Sequence, residues 1–391
     1  MDAGEESRYK LDEFELYRSS SERRSTYYSL LTTVPLTRFP MPSIQATTLT
    51  DFATELLTAG GVSRDEARLV AASLVGANLR GHDSHGVMRI PFYLDTVTKG
   101  EVVPGAEFTV VRESETTLVA DGGWGFGQTQ ARRLMERSIA KGRSAGTCVG
   151  TLIHAGHIGR LGEYCEQAAA AGLVSMIMVN THGHARRVAP PGGKAPRLGT
   201  NPLAFGVPHG NEPLVLDFGT SATAEGKVRV KKIAGQRCPD DWLLDAEGRP
   251  TNDPNTLYAN PPGTILPMGG PQAYKGFGLG LIVEIFAGAL SGGVTIREKP
   301  INQNGNCVFM LALDPEHLGG ASHFAAEIAQ LVAFMRGCPR VEGCDAIQLP
   351  GDPERRVLAQ RQSEGIPLDQ GNWSQLTALA QKLGVEIRGS T

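Results

Sequence analysis

The chain is poor in the features that would place it quickly in a class. It has no basic excess: 38 Lys and Arg stand against 41 Asp and Glu, for a net charge of -3. Nothing offsets a polyphosphate backbone, so no nucleic-acid partner is expected. The six cysteines (Cys148, Cys165, Cys238, Cys307, Cys338 and Cys344) contain no CxxC pair. Scattered cysteines in a long chain read as reduced thiols, which points to a reducing compartment and a cytoplasmic location. No apolar run reaches the roughly 18 residues of a membrane span, so no membrane is expected. Met1–Arg24 is polar and charged, without the apolar stretch of a signal peptide. No internal repeat is visible.

What is present suits a globular protein of two or three domains: 391 residues, 41% hydrophobic and 20% charged. Residues 1–43, rich in Ser, Arg, Glu and Tyr, read as a disordered tail or a start-site extension, with Met41 an alternative start. Thr50–Asp51 can cap a helix over Phe52–Ala59, closed by Gly60–Gly61. Ser63 and Glu66 form a capping box for a helix over Arg64–Arg80. Strands are predicted at Phe108–Arg112, Thr117–Asp121, Thr147–His154, Leu173–Asn180, Leu203–Val207, Leu214–Asp217 and Val308–Leu313. Helices are predicted at Gln128–Ala145, Leu161–Ala171, Tyr274–Leu290 and Ala321–Met335, with a charged helical region from Gly351. Pro239–Pro267 reads as loop.

Two glycine-rich segments could hold phosphate, Gly122–Gly127 and Gly276–Gly280. The first has the wrong spacing for a Rossmann fingerprint, and the second lies inside a helix without a preceding strand. Glycines for turns and close packing explain both equally well. His82–Asp83–Ser84–His85 gathers polar groups just past an apolar helix. It is not a nucleophile elbow, and a third zinc ligand at a familiar spacing is missing, so no metal is expected. Helix capping would account for Asp83 and Ser84. His154 and His157 follow a strand and precede a helix, where ligand groups often sit. A neutral His can exchange the proton of a C–OH group near pH 7, and an Arg such as Arg89 or Arg160 can bind a carboxylate. The residues alone stop at an anion-handling α/β enzyme with His acid–base groups.

Several segments together resemble the malate/L-lactate dehydrogenase family of the second type, which is unrelated to the Rossmann enzymes. They are Ala77–Gly86, Gly156–Gly162, Val188–Pro190 with Gly192–Gly193, Leu198–Pro202, Leu216–Ser221, Gly226–Lys227, Tyr274–Gly278, Gly288–Gly292 and Leu349–Asp352. They occur in family order, and the chain looks most similar to bacterial hydroxycarboxylate dehydrogenases. The resemblance implies an α/β (α+β) fold: a non-Rossmann NAD(P)-binding domain with a largely antiparallel sheet (119–339), and a helical, dimerising domain from both chain ends (44–118 with 340–391). It implies NAD or NADP as cofactor, a small 2-oxo or 2-hydroxy acid as substrate, and a homodimer. His85 becomes the proton donor with Ser84 as relay, and Arg89 the carboxylate grip. His157 lies between substrate and nicotinamide, and either histidine could move the proton. Thr200, Glu225 and Gly226 would touch substrate. Gly159, Arg160, Leu161, Asp217, Phe218, Gly219, Tyr274, Lys275, Leu349, Pro350 and Gly351 would contact cofactor. Relatives that reduce cyclic imino acids share the pattern, and a catalytically silent binding relative is the other alternative.

The chain departs from the family pattern at Glu163–Tyr164, where an aromatic pair is usual, and at Phe218–Gly219. The loop Thr181–Arg187 replaces small residues. Its Arg186 and Arg187 would favour a second carboxylate or a 2′-phosphate, or else form a solvated loop.

Overall fold

A computed structural model describes residues 43–233 and 235–387. The extension read over 1–43 therefore lies, apart from Ser43, outside the described residues. A short strand β1 (Ser43–Ile44) precedes α1 (Ala46–Ala59) and α2 (Arg64–Leu79). α1 starts at Ala46 rather than Phe52, and Thr50 does not cap it: its hydroxyl donates to the Ala46 carbonyl inside the helix at 2.7 Å. Burial explains the difference. Leu49 belongs to the same buried stripe as Phe52, Ala53, Leu56 and Leu57, so the first turn is fixed by packing. Ser63 caps α2 as expected, accepting the Glu66 N–H at 3.5 Å. The reciprocal half of the box is absent, because the Glu66 carboxylate accepts from Gly105 N–H at 2.7 Å.

Two 3-10 turns, Asp83–His85 and Val87–Arg89, lead into α3 (Ile90–Thr98), which the sequence reading did not foresee. Next come β2 (Thr109–Glu113), β3 (Thr117–Gly125), α4 (Gly127–Ala145), β4 (Thr147–Ala155), α5 (Gly162–Ala170), β5 (Val174–Asn180), β6 (Pro202–Val207), β7 (Leu214–Gly219) and α6 (Glu225–Ile233). The region read as loop forms a small sheet of β8 (Leu243–Leu244), β9 (Pro250–Thr251) and β10 (Thr264–Ile265). α7 (Ala273–Val283) runs on as a π-helix over Glu284–Leu290. β11 (Asn306–Leu313), α8 (Ala321–Arg336), α9 (Asp352–Glu364), β12 (Ile366–Pro367) and α10 (Gln370–Leu383) complete the chain.

The main sheet has the order β2-β3-β4-β11-β5-β6-β7. Only β3 and β4 pair in parallel; every other pairing in it is antiparallel. This is the mixed α/β, largely antiparallel and non-Rossmann architecture that the resemblance implies. β4 and β5 both run antiparallel to β11, so β3, β4 and β5 end at one edge. One apolar core joins the chain ends, with Phe52, Leu74 and Tyr93 packed among Ile366, Trp373 and Leu376. The Phe52 and Trp373 rings lie 5.8 Å apart. A second core, including Leu134, Leu152, Tyr164 and Met310, lies between the sheet and helices α4 and α5. All six cysteines are unpaired.

The helical segment Gly270–Leu290 corrects one expectation. Its 21 residues include an 18-residue window of mean hydropathy 1.4, long and apolar enough to cross a membrane by length and composition. Lys275 and Glu284 interrupt the run in sequence and hid this. The inward side is polar as well as apolar. Glu284 is buried, accepts from the side-chain amides of Asn180 (2.9 Å) and Asn201 (2.8 Å), and also accepts from Ile296 N–H (2.6 Å). A buried carboxylate with three donors belongs to a helix packed on protein on that side. Both glycine-rich segments serve packing: a Cβ at Gly280 would lie 2.8 Å from Thr220 Oγ1, and one at Gly122 would lie 2.9 Å from the His154 carbonyl.

Candidate active site

Asn78, buried in the last turn of α2, shapes the polar segment that follows. Its Nδ2 donates to Asp83 at 2.7 Å, and its Oδ1 accepts the Val87 N–H at 2.9 Å. Asp83 also pairs with Arg361 on α9 at 2.6 Å, and His82 meets Glu354 at 3.3 Å. Both ties reach the other end of the chain. Gly86 has no room for a side chain, because a Cβ there would collide with the Asn78 amide. The short segment is thus held from two sides and presents Ser84, His85 and Arg89 inward.

His85 Nδ1 pairs with Ser84 Oγ at 3.0 Å. The His85 ring stacks on His157 with centroids 5.5 Å apart and planes 22° apart. Residues 72 positions apart in the chain thereby become ring neighbours. His157 Nδ1 pairs with the Tyr93 hydroxyl at 2.8 Å, and Gln128 Nε2 donates to that hydroxyl, also at 2.8 Å. With Gln128 donating, the Tyr93 proton goes to His157 Nδ1, which leaves the ring's own proton on Nε2. Sequence reading missed both Tyr93 and Gln128. Their only sequence signal is polarity at positions that the helical pattern assigns to the core.

Burial depresses the pKa of His85 to about 3, with Arg89, His82, Arg160 and Lys227 adding to the effect. The residue as a whole is half-buried. Burial, Arg89 and His85 hold His157 well below the usual imidazole range. Burial pushes the Tyr93 hydroxyl up to about 12. Both imidazoles are therefore neutral at pH 7. Arg89 donates from Nε to the Ser84 carbonyl at 2.7 Å and makes no ion pair among the described residues. Its guanidinium thus stays available to an incoming anion.

Substrate-side expectations meet here only in part. A Cβ at Gly226 would lie 2.8 Å from Ser84 Cβ, so the start of α6 abuts the histidine segment. Glu225 accepts from the Tyr258 hydroxyl at 2.8 Å. Thr200 is half-buried, and its carbonyl accepts the Thr220 N–H at 3.1 Å. His154 does not join His157. It pairs with Asp121 at 2.9 Å and packs against Trp124 and His182. Trp124, His154 and His182 all have positive φ, at 62°, 51° and 49°. Such backbone persists only where its surroundings over-determine it.

Three of the four expected cofactor segments come together. Asp217 on β7 accepts the Gly162 N–H at 2.7 Å, tying it to the turn of Gly159, Arg160 and Leu161. The Pro350 carbonyl accepts the Val215 N–H at 3.3 Å, which brings Leu349–Gly351 to the start of the strand that ends in Phe218 and Gly219. Gly159 and Gly351 have φ of 79° and 91°. Arg160 is buried and ion-paired with Glu166 at 2.8 Å. Tyr274 and Lys275 are exposed at the start of α7, and no hydrogen bond or ion pair ties them to those segments among the described residues. No group of three or more His, Cys, Asp or Glu side chains suited to a metal ion occurs among the described residues.

The chain is similar to known proteins over nearly all of the described length. A family profile described as malate/L-lactate dehydrogenase matches residues 44–377. An L-lactate dehydrogenase of Cupriavidus necator is 37% identical over 350 residues, covering 88% of this chain and 99% of the relative. Hydroxycarboxylate dehydrogenase B of Escherichia coli is 36% identical over 345 residues, covering 87% and 94%. Among solved structures, malate dehydrogenase from Pyrococcus horikoshii matches with a TM-score of 0.80 at 30% identity, covering 90% and 99%. A delta1-piperideine-2-carboxylate reductase from Pseudomonas syringae matches with a TM-score of 0.75 at 31% identity, covering 86% and 99%. With the fold and the ordered segments agreeing, the chain belongs to the malate/L-lactate dehydrogenase family.

Proposed function

We propose that the chain is an NAD(P)-dependent dehydrogenase interconverting a small 2-hydroxy acid and its 2-oxo acid. The observation that carries this is the stacked pair of neutral histidines, 5.5 Å apart, beside an arginine without an ion pair among the described residues. The donor set suits a nicotinamide dinucleotide. Left-handed Gly159 and Gly351 admit close backbone approach, and Asp217 spends one oxygen on Gly162, leaving an acceptor for a hydroxyl. Gly159–Leu161, Asp217–Gly219 and Leu349–Gly351 would hold the cofactor, with Tyr274 and Lys275 at the rim. When bound, the nicotinamide supplies or takes up the hydride.

Arg89 grips the substrate carboxylate through its terminal guanidinium nitrogens. In oxidation, neutral His85 accepts the hydroxyl proton and passes one on from Nδ1 to Ser84, which is half-buried and meets solvent. In reduction, the arriving carboxylate offsets Arg89, one cause of the depressed His85 pKa, and so favours the protonated donor. His157 has no comparable exit, since its Nδ1 leads to buried Tyr93 and Gln128. Its Nε2–H donates to the substrate oxygen and orients it. Thr200 and the Glu225–Gly226 backbone border the same space.

The active unit is a homodimer. Leu281, Ile282 and Ile285 on the α7 segment each remain 43% exposed, and Phe334 on α8 is 78% exposed. Outward apolar faces of this kind mark protein contacts.

The test is oxidation of NADH and NADPH by purified protein with a panel of 2-oxo acids and one cyclic imino acid. Turnover of at least one 2-oxo acid is expected. Activity on the imine alone would make the chain an imino-acid reductase, and activity on neither would refute the reading.

A further inference from the structure

The start of α6 brings a second arginine toward the site. Gly226 abuts Ser84, and Arg229, three residues on, shares the helical face of Gly226. Arg229 Nε is fully buried and has no hydrogen-bond partner among the described residues. A buried guanidinium N–H without a partner is costly unless a ligand supplies one. Arg229 lies close enough to Arg89 to disfavour its cation, and Glu225 is the acid that partly offsets this. Tyr258 already bonds that acid, and the Lys232 ammonium sits 4.3 Å from the Tyr258 ring centroid. Arg187 lies near enough to Tyr258 to act on its hydroxyl, and the Arg187 carbonyl accepts the Ile265 N–H at 2.8 Å. Arg187 therefore belongs to the α6 side, whereas the expected cofactor segments gather around β7.

We propose that Arg229, supported by Arg187, binds a second acidic group on the substrate and selects 2-hydroxy acids that end in a carboxylate or sulfonate. This rests on the 2-hydroxy acid reading and deepens it. One carboxylate on Arg89 leaves Arg229 Nε without an acceptor among the described residues. A dianionic substrate neutralises both cations and gives Nε its acceptor.

The test compares oxidation of malate, 3-sulfolactate and 2-hydroxybutanoate by the full chain, with Arg229→Met, Arg229→Lys and Arg187→Met alongside. Malate or sulfolactate should exceed 2-hydroxybutanoate in kcat/KM by roughly tenfold or more, as expected for a charged hydrogen bond. The better of the two identifies the acidic group. Arg229→Met should collapse that ratio mainly through KM of the dianion, Arg229→Lys should restore part of it, and Arg187→Met should lower it less. A wild-type ratio near one would overturn the proposal, as would equal losses on both substrate classes in Arg229→Met and Arg229→Lys. Failure to oxidise any 2-hydroxy acid would overturn the underlying reading and this one with it.

Discussion

At the scale of single residues, the two histidines differ in what their Nδ1 atoms touch, and the proposed roles follow from that difference. His85→Ala should lower kcat by a factor of about 10² or more, as for loss of a general acid–base group, measured by steady-state kinetics. A near-normal rate would move the proton-transfer role to His157. The depressed pKa of His85 also makes a stability statement. Below its ordinary value of 6.5, the unfolded chain binds a proton that the folded site resists down to about 3. The contribution is therefore fully present above about pH 6.5 and is lost as pH falls toward 3. Urea unfolding between pH 7 and 5 should show wild type losing more stability than His85→Asn. Parallel curves would contradict the burial of a neutral ring. His85 was legible in sequence because it sits in a dense polar motif. Tyr93, Gln128 and Arg229 were not, since each is a single polar residue in a helix and acquires meaning only from its neighbours in space.

At the scale of elements, the turn after α2 depends on Asn78 and Gly86 together. Gly86→Ala places a methyl group on the Asn78 amide. It should destabilise by about 1–3 kcal/mol, the usual cost of overpacking. Adding Asn78→Ala should recover part of that in a double-mutant cycle, read by thermal or urea unfolding. Strict additivity would mean that the two do not touch. Strand and helix positions in the sheet region were largely readable, because alternating and 3.6-residue periods survive in sequence. The start of α1 was misread, since a threonine–aspartate pair looks like a cap until the buried Leu49 is known to extend the helix. α3 and α6 escaped notice. Both are short, and the mixed charge of α6 hides its one buried face.

At the scale of the whole molecule, the outward faces of the α7 segment and α8 carry the prediction of a dimer. Ile282→Asp with Phe334→Asp should shift the mass measured by light scattering from two chains toward one. A wild-type protein of single-chain mass would refute the dimer outright. The segment Gly270–Leu290 is long and apolar enough for a membrane by length and composition, although Lys275 and Glu284 break the apolar run in the sequence.

The amino-acid sequence by itself determined the family, through ordered motifs whose residue types are chemically irreplaceable, and most strand and helix positions, through local periodicity. Only the tertiary structure decided which polar residues face one another. It stacked His85 on His157, parted His154 from both, tied Tyr93 and Gln128 to His157, and brought Arg229 near Arg89. The reason is that pairing in space depends on sheet order and on the return of the far chain end, and neither leaves a local pattern in the sequence.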